Sequence, residues 1–453
     1  MIDRLVIFGA TGDLTARYLL PGLAALRSAG LLSDRFRLTG AGREDWDDEQ
    51  FRSWAAAQLE RHAAHLPADV RHGVVSASAY RQADVREPES VAAAIAGDGP
   101  VAAYLALPPP VFPSAVSALR AAGLPADSRV VLEKPFGEDL VSAVSLNGIL
   151  AEGMSEQEVF RVDHFLAMTT VQNLLGFRLA NRILEPIWNS MHIAEVEIVW
   201  DESLALEGRA GYYDGVGTLK DMVQNHLLQL LCLIAMEPPV SMGERDLRDR
   251  KVDVLRQVRT LTPDDAVRSS RRARYTAGRI GDREVPAYVA EKGVDPSLNT
   301  ETFAEVELKV ENWRWLGTTF RLRSSKALAA DRKEVLVRFR DVPHLPQGVN
   351  VRPGANMLRF GLEPESLTLD LTGVGTGVGE LSPLALSAVL KASRLPAYGQ
   401  VLLDVLNGRV TLAIRGDEAE ESWRVVTPVI EAWSSGRVPM EEYPAGSQGP
   451  APR

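Results

Sequence analysis

Up to about residue 160 the chain alternates short, largely apolar runs with helix-like stretches. Leu5–Phe8, Phe36–Thr39, Val101–Leu105 and Arg129–Leu132 have the length and composition of buried parallel strands. Between them, Pro21–Ser28 and Pro88–Ala96 read as helices that begin on a proline, whose missing N–H costs nothing in a first turn. This succession predicts an α/β domain with a doubly wound parallel sheet over residues 1–160. After about residue 190 the period becomes two. Ala194, Val196, Ile198 and Trp200 alternate with Glu195 and Glu197, and Ala304, Val306, Leu308 and Val310 alternate with Glu305, Glu307 and Lys309. Val335–Phe339 and Leu367–Leu371 repeat the pattern. One packed face and one wet face mark a large antiparallel sheet, so residues 161–453 are expected to form an α+β domain. Its last residues, 444–453, are rich in Pro, Gly and Ala and are expected to be disordered.

Composition narrows the function. A chain of 453 residues with 45% hydrophobic and 24% charged residues has the material for large globular cores. The net charge of -10, with both signs mixed along the chain, argues against nucleic acid as a partner. An anionic substrate would need a local basic pocket. Cys232 is the only cysteine, so no disulfide forms within the chain, and its apolar surroundings assign it to packing. The N-terminus runs directly into a strand without a signal peptide, and no apolar run reaches the roughly 18 residues of a membrane helix. The expectation is a cytoplasmic protein without a membrane partner.

Three segments carry candidate chemistry. Gly9-Ala10-Thr11-Gly12-Asp13-Leu14 follows the first strand, and glycines there let the backbone turn tightly and approach a pyrophosphate, as in a Rossmann-type domain. Arg43 follows the second strand, where it would favour the 2′-phosphate of NADP. Its neighbour Glu44 would repel that phosphate, which leaves NADP and NAD both open. Glu133-Lys134-Pro135-Phe136-Gly137 ends a further strand, where side chains face the ligand crevice, and Lys134 is placed to meet a sugar hydroxyl. The third feature is Arg161-Val162-Asp163-His164-Phe165-Leu166 together with Asp221-Met222-Val223-Gln224-Asn225-His226. Removing a hydride from a hydroxyl-bearing carbon requires a base for the hydroxyl proton, and a histidine steered by a carboxylate suits this near neutral pH. Which histidine meets which aspartate is open at this level. His62, His65, His72, His192 and His344 are assigned to surface or structural roles.

Together these segments resemble the glucose-6-phosphate dehydrogenase family. The resemblance extends through Tyr104–Pro109, Val171-Gln172-Asn173, Ala180-Asn181-Arg182, Pro186–Asn189, Gly208–Asp214, Ser422-Trp423-Arg424 and Thr427-Pro428, covering roughly residues 4–440 in order. It implies an NADP- or NAD-dependent oxidoreductase of glucose metabolism and the pentose phosphate pathway, acting on C1 of a β-pyranose, as a homodimer or dimer of dimers. It implies that His226 is the general base and Asp163 its orienting carboxylate. Lys134, Glu202 and Asp221 would hold sugar hydroxyls, His164 a phosphate, and Lys326 and Arg332 would be the basic residues near the sugar and its phosphate. Gly9, Thr11, Gly12, Asp13, Leu14, Arg43, Pro108 and Lys134 would border the cofactor.

The departures bear on the substrate. Where the family typically reads Asp-His-Tyr-Leu-Gly-Lys-Glu, this chain reads Asp163-His164-Phe165-Leu166-Ala167-Met168-Thr169. A tyrosine hydroxyl and a lysine ammonium are thereby replaced by a phenyl ring and a thioether, and a hydrogen bond to a charged group contributes about 1.5–3 kcal/mol. Glu363 takes the place of a sugar-contacting glutamine. The same C1 chemistry on an unphosphorylated or amino-modified hexose is therefore an alternative. A catalytically inactive paralogue serving as a regulatory or scaffold partner, and oxidation at another carbon through Lys134, are the remaining ones.

Overall fold

Leu5, Val6, Ile7 and Phe8 are all buried, as expected for a strand in the interior of a sheet. The computed structural model describes residues 1–349, 354–375, 380–390 and 393–452. Two compact units emerge. The first comprises Met1–Met168, Pro239–Arg248 and Ser393–Glu420, and the second Thr169–Pro238, Asp249–Ala392 and Glu421–Arg453.

The first unit holds a parallel sheet of β1 (Arg4–Phe8), β2 (Arg37–Gly42), β3 (Ser78–Gln82), β4 (Ala102–Leu105), β5 (Arg129–Glu133) and β6 (Val159–Val162). The order β3-β2-β1-β4-β5-β6 reverses between β1 and β4, the point at which a doubly wound sheet opens a crevice at its carboxyl edge. The helices Leu20–Ser28 and Pro88–Ile95 stand where the prolines place them. β3 and β6 escape the sequence pattern because they are short and carry polar or charged residues. A late segment returns to this unit: the helix Ala397–Asn407 packs through Val401, Leu402, Val405 and Leu406 into the core formed with β1, β2 and β4.

The second unit is built on nine described strands. They are β7 (Ile193–Asp201), β8 (Ser270–Thr276), β11 (Phe303–Leu308), β12 (Thr319–Ser325), β13 (Arg332–Phe339), β14 (Met357–Glu363), β15 (Ser366–Val374), β16 (Leu381–Val389) and β17 (Met440–Pro444), with the hairpin β9 (Gly278–Ile280) and β10 (Arg283–Val285) apart. The sheet runs β16-β15-β14-β13-β7-β12-β11-β8-β17. Most pairs are antiparallel, as the alternation predicts, while β7 with β12 and β8 with β17 are parallel, so the sheet is mixed. Alternation fixes which side chains share a face, not the direction of the neighbouring strand.

The C-terminal segment also corrects an expectation. Residues 444–452 are ordered against the unit: Ala445 N–H donates to Thr276 O at 3.1 Å, Gly446 N–H to Ala327 O at 2.8 Å, and Ala329 N–H to Ser447 O at 2.9 Å. Gly446 lets the backbone pass this close, since a Cβ on it would stand 1.8 Å from the Arg279 carbonyl oxygen. Low hydrophobicity was not evidence of disorder.

Candidate active site

In the first unit every sequence-selected residue follows the carboxyl end of a strand. Gly9 leaves β1 at φ +81°, and a Cβ built on it would come 2.2 Å from the Ala106 carbonyl oxygen, so only glycine allows the turn this close to the loop after β4. Gly12 N–H donates back to Gly9 O at 3.0 Å and closes the loop. Thr11 donates its hydroxyl to Glu44 Oε1 at 2.9 Å, and Asp13 pairs with Arg17 at 2.7 Å. Leu14 turns inward against the core. A loop held this way, with glycines at its turn, fits the pyrophosphate of a dinucleotide. Arg43 is exposed just beyond β2. Burial alone would raise the Glu44 carboxyl, but hydrogen bonds from its own backbone N–H, Thr11 and the Tyr80 hydroxyl, with the Arg43 charge, hold it below its ordinary value. Pro108 follows β4.

Lys134 follows β5, and behind it lies a small polar network absent from the motif reading. Tyr104 and Tyr398 both donate their hydroxyls to Glu133, the latter at 3.5 Å. Burial pushes the Glu133 carboxyl up to about 7, against the Tyr104 hydrogen bond and the Lys134 charge. Asp163, buried at the end of β6, accepts the Phe165 N–H at 3.0 Å and so caps the turn His164–Ala167. The imidazole of His164 stacks on Tyr398 with ring centres 5.2 Å apart and 19° between planes, and meets Phe165 edge-on at 5.0 Å. Met168 ends that turn, its N–H donating to Phe165 O at 3.0 Å.

In the second unit, His226 and Asp221 lie on the helix Leu219–Leu227, which runs on as Leu228–Ala235. Its turns are wide: Leu228 N–H reaches back to Val223 O, five residues earlier. Wide turns of this kind cluster at functional sites because they re-aim side chains without ending the helix. His226 is 1% exposed. Asp221 accepts the Tyr212 hydroxyl at 3.1 Å. Cys232, further along, is buried as packing.

Glu202 just follows β7 and keeps the parity of Trp200, whose indole N–H donates to it at 3.1 Å. Lys326, after β12, pairs with its other oxygen at 2.7 Å and lies 5.2 Å over the Tyr213 ring. Arg332 is not part of this group. It is opposite Asp201 on β7 and pairs with Glu197 at 3.1 Å and with Glu334, on the other face of the sheet. Lys333, opposite Trp200, lies on the face of that ring: its ammonium is 4.9 Å over the Trp200 ring and pairs with Glu363 at 2.7 Å and Asp331 at 3.2 Å. A shift of one residue along a strand reverses the face, so Arg332 and Lys333 point to opposite sides of the sheet. Counting parity from Trp200 would have required knowing that β13 pairs with β7.

With this geometry in view, the comparisons are specific. The model of the glucose-6-phosphate dehydrogenase NAD binding domain matches residues 6–173, and that of the C-terminal domain residues 175–453. The chain belongs to the glucose-6-phosphate dehydrogenase family. A glucose-6-phosphate 1-dehydrogenase of Zymomonas mobilis is 37% identical, over 99% of this chain and 96% of the relative, and one from Treponema pallidum is 39% identical over 98% and 92%. Among solved structures, a glucose-6-phosphate dehydrogenase in complex with its substrate glucose-6-phosphate aligns at TM-score 0.88 and 30% identity, covering 99% of this chain and 96% of that one. The Mycobacterium avium enzyme aligns at 0.88 and 32%, covering 99% and 95%. Membership makes the chain an oxidoreductase that uses NADP or NAD. No helix among the described residues is long and apolar enough to cross a membrane.

Proposed function

We propose that the chain oxidises C1 of a β-pyranose, glucose 6-phosphate or a related hexose, to the 1,5-lactone. The observation that carries this is His226: an imidazole buried on a wide-turn helix of the unit that also holds the Glu202–Lys326 pair, in a chain that matches the family over nearly its whole length. Bound at the carboxyl edge of the first sheet, the nicotinamide supplies the hydride acceptor. His226 takes the C1 hydroxyl proton as the C1–O bond becomes a carbonyl, and the buried carboxylate of Asp163 fixes the tautomer and stabilises the imidazolium. Lys134, Glu202 and Asp221 hold the sugar hydroxyls, and His164 faces the substituent at C6. Replacing His226 with Asn should lower kcat about 10²- to 10⁴-fold while cofactor affinity stays near normal. Near-normal turnover would refute the assignment. The absence of reduced-nicotinamide absorbance with every hexose and hexose phosphate tried would favour the scaffold reading instead.

One set of observations favours a second substrate. The cations that would meet a phosphate are already matched by carboxylates, Lys326 by Glu202 and Lys333 by Glu363 and Asp331, and His164 is packed between aromatic rings. A dianion would have to compete with these pairs, whereas a hydroxyl or amino group would not. Comparing kcat/KM for glucose and glucose 6-phosphate decides between them. A preference above about a thousand-fold for the ester, equivalent to roughly 4 kcal/mol, ends the unphosphorylated reading.

The quaternary state we propose is a homodimer through β15 and β16. Leu384 and Leu386 on β16 are 47% and 54% exposed and align with Leu371 and Leu369 on β15, giving an apolar surface near the edge of the sheet. Sedimentation of the Leu384→Glu, Leu386→Glu double variant should show monomer. An unchanged dimer would place the interface elsewhere.

A further inference from the structure

The helix that carries Asp221 and His226 begins without a side-chain cap from its own leading residue, Thr218. A residue far along the chain serves instead. Leu219 N–H donates to Glu301 Oε1 at 2.9 Å, and Thr218 N–H to the Glu301 main-chain carbonyl at 3.4 Å. The Tyr213 hydroxyl, 2.6 Å from that of Thr218, donates to the same carbonyl at 3.1 Å. The approach is close enough to dictate sequence. A Cβ on Gly217, which has φ +72°, would stand 2.4 Å from a Glu301 carboxylate oxygen. Glu301 is itself held from both sides: the Thr300 hydroxyl donates to Asp214 at 2.8 Å, and that of Thr302 accepts the Tyr275 N–H at 3.0 Å. It is 8% exposed.

We infer that Glu301 is a positioning residue for His226, its ionised carboxylate anchoring the first turn of the helix and so fixing where the imidazole stands. The inference rests on the assignment of His226 as the base. An anion at a helix N-terminus is stabilised by the free N–H groups and the helix dipole, and it orders that turn in return. The charged groups around Glu301 are Arg272 on β8 and Lys220 on the helix itself, and the Tyr213 and Tyr288 hydroxyls also feel its charge. Burial pushes the Glu301 carboxyl up to about 7, with the Leu219 N–H and the two cations pulling it back down. Below neutrality the anchor is therefore protonated, and its proton contributes to the acid limb of activity.

The test is the pH dependence of kcat and KM for the wild-type enzyme, Glu301→Gln and Glu301→Ala, with His226→Asn as reference. Glu301→Ala should lower kcat about ten-fold with KM little changed, as expected when the reacting group shifts by a fraction of an ångström. Glu301→Gln, which keeps an acceptor for Leu219 N–H but cannot ionise, should recover part of that loss. Its acid limb should lose one proton of slope relative to the wild type. Superimposable profiles for wild type and Glu301→Gln overturn the inference, as does a loss of Tm in either variant with kcat of the folded fraction unmoved. If Glu301→Ala does not fold, the Gln variant decides alone. A fully active His226→Asn enzyme would sink the functional reading first, and is distinguishable because it leaves Glu301 untouched.

Discussion

The two units deliver functional groups by different means. In the first, the central strands β1, β4 and β5 are largely apolar and buried, and the candidate groups stand where strands end: the glycine turn after β1, Lys134 after β5, Asp163 after β6. Backbone geometry does the placing. In the second, the groups stand on or beside a sheet face, Glu202 with Trp200, Lys326 and Lys333, and each is held by an ion pair or a ring. Side-chain register does the placing. The first arrangement should therefore be sensitive to added atoms and the second to lost charges.

The largest effect expected is at Gly9. Gly9→Val puts a branched side chain at φ +81° with its Cβ 2.2 Å from the Ala106 carbonyl oxygen, where neither backbone can yield cheaply. A cost of roughly 3 kcal/mol or more should appear as a cofactor Kd raised about a hundred-fold or beyond in a fluorescence titration. An unchanged Kd would mean that the turn does not face the cofactor.

Next comes the buried carboxyl of the second unit. Glu301 has its proton held more tightly in the folded state, about 7 against an ordinary 4.5. The stability this gives is complete below pH 4.5 and is lost as pH rises through 7, because the folded state must then accept a buried charge. Glu301→Gln lacks that dependence. Its stability relative to wild type should rise by up to about 3 kcal/mol between pH 4.5 and 8, read from urea unfolding at the two values. A constant difference would show that the carboxyl is not perturbed.

The register of β13 predicts a contrast. Lys333→Met should raise KM for the sugar by roughly ten-fold or more, the weight of a charge-assisted hydrogen bond, while Arg332→Met leaves it near normal. The reverse order would return Arg332 to the site. The smallest effect is at Glu44, largely exposed and tied to Thr11 and Tyr80. Glu44→Gln should shift the ratio of kcat/KM for NADP over NAD upward by no more than about five-fold, since exposed charges contribute under about 1 kcal/mol.

The parallel strands β1, β2, β4 and β5 were legible because burial on both faces leaves apolar runs, and β7 and β11 because burial on one face leaves alternation. The residues proposed for the cofactor edge stand at strand ends for the same reason: a strand end is a local feature. β3 and β6 were not, being short with polar or charged residues, and the ordered tail was not, because backbone pairing to β8 leaves no hydrophobic signature. Tyr398 illustrates the limit. It stacks on His164 and donates to Glu133, residues more than two hundred positions earlier, and nothing in its neighbours along the chain indicates this.

The sequence alone determined what is written in local periodicity and motif: two kinds of sheet, a glycine turn after the first strand, a buried histidine on an apolar helix, and the family resemblance that joins them. Tertiary structure decided every question of partner. Lys333 rather than Arg332 shares the face of Trp200, Glu301 accepts the first N–H of the His226 helix, and Tyr398 stacks on His164, because strand register and chain return bring together residues whose separation along the chain carries no record of it. Periodicity says which way a side chain points, and only the folded chain says what it meets.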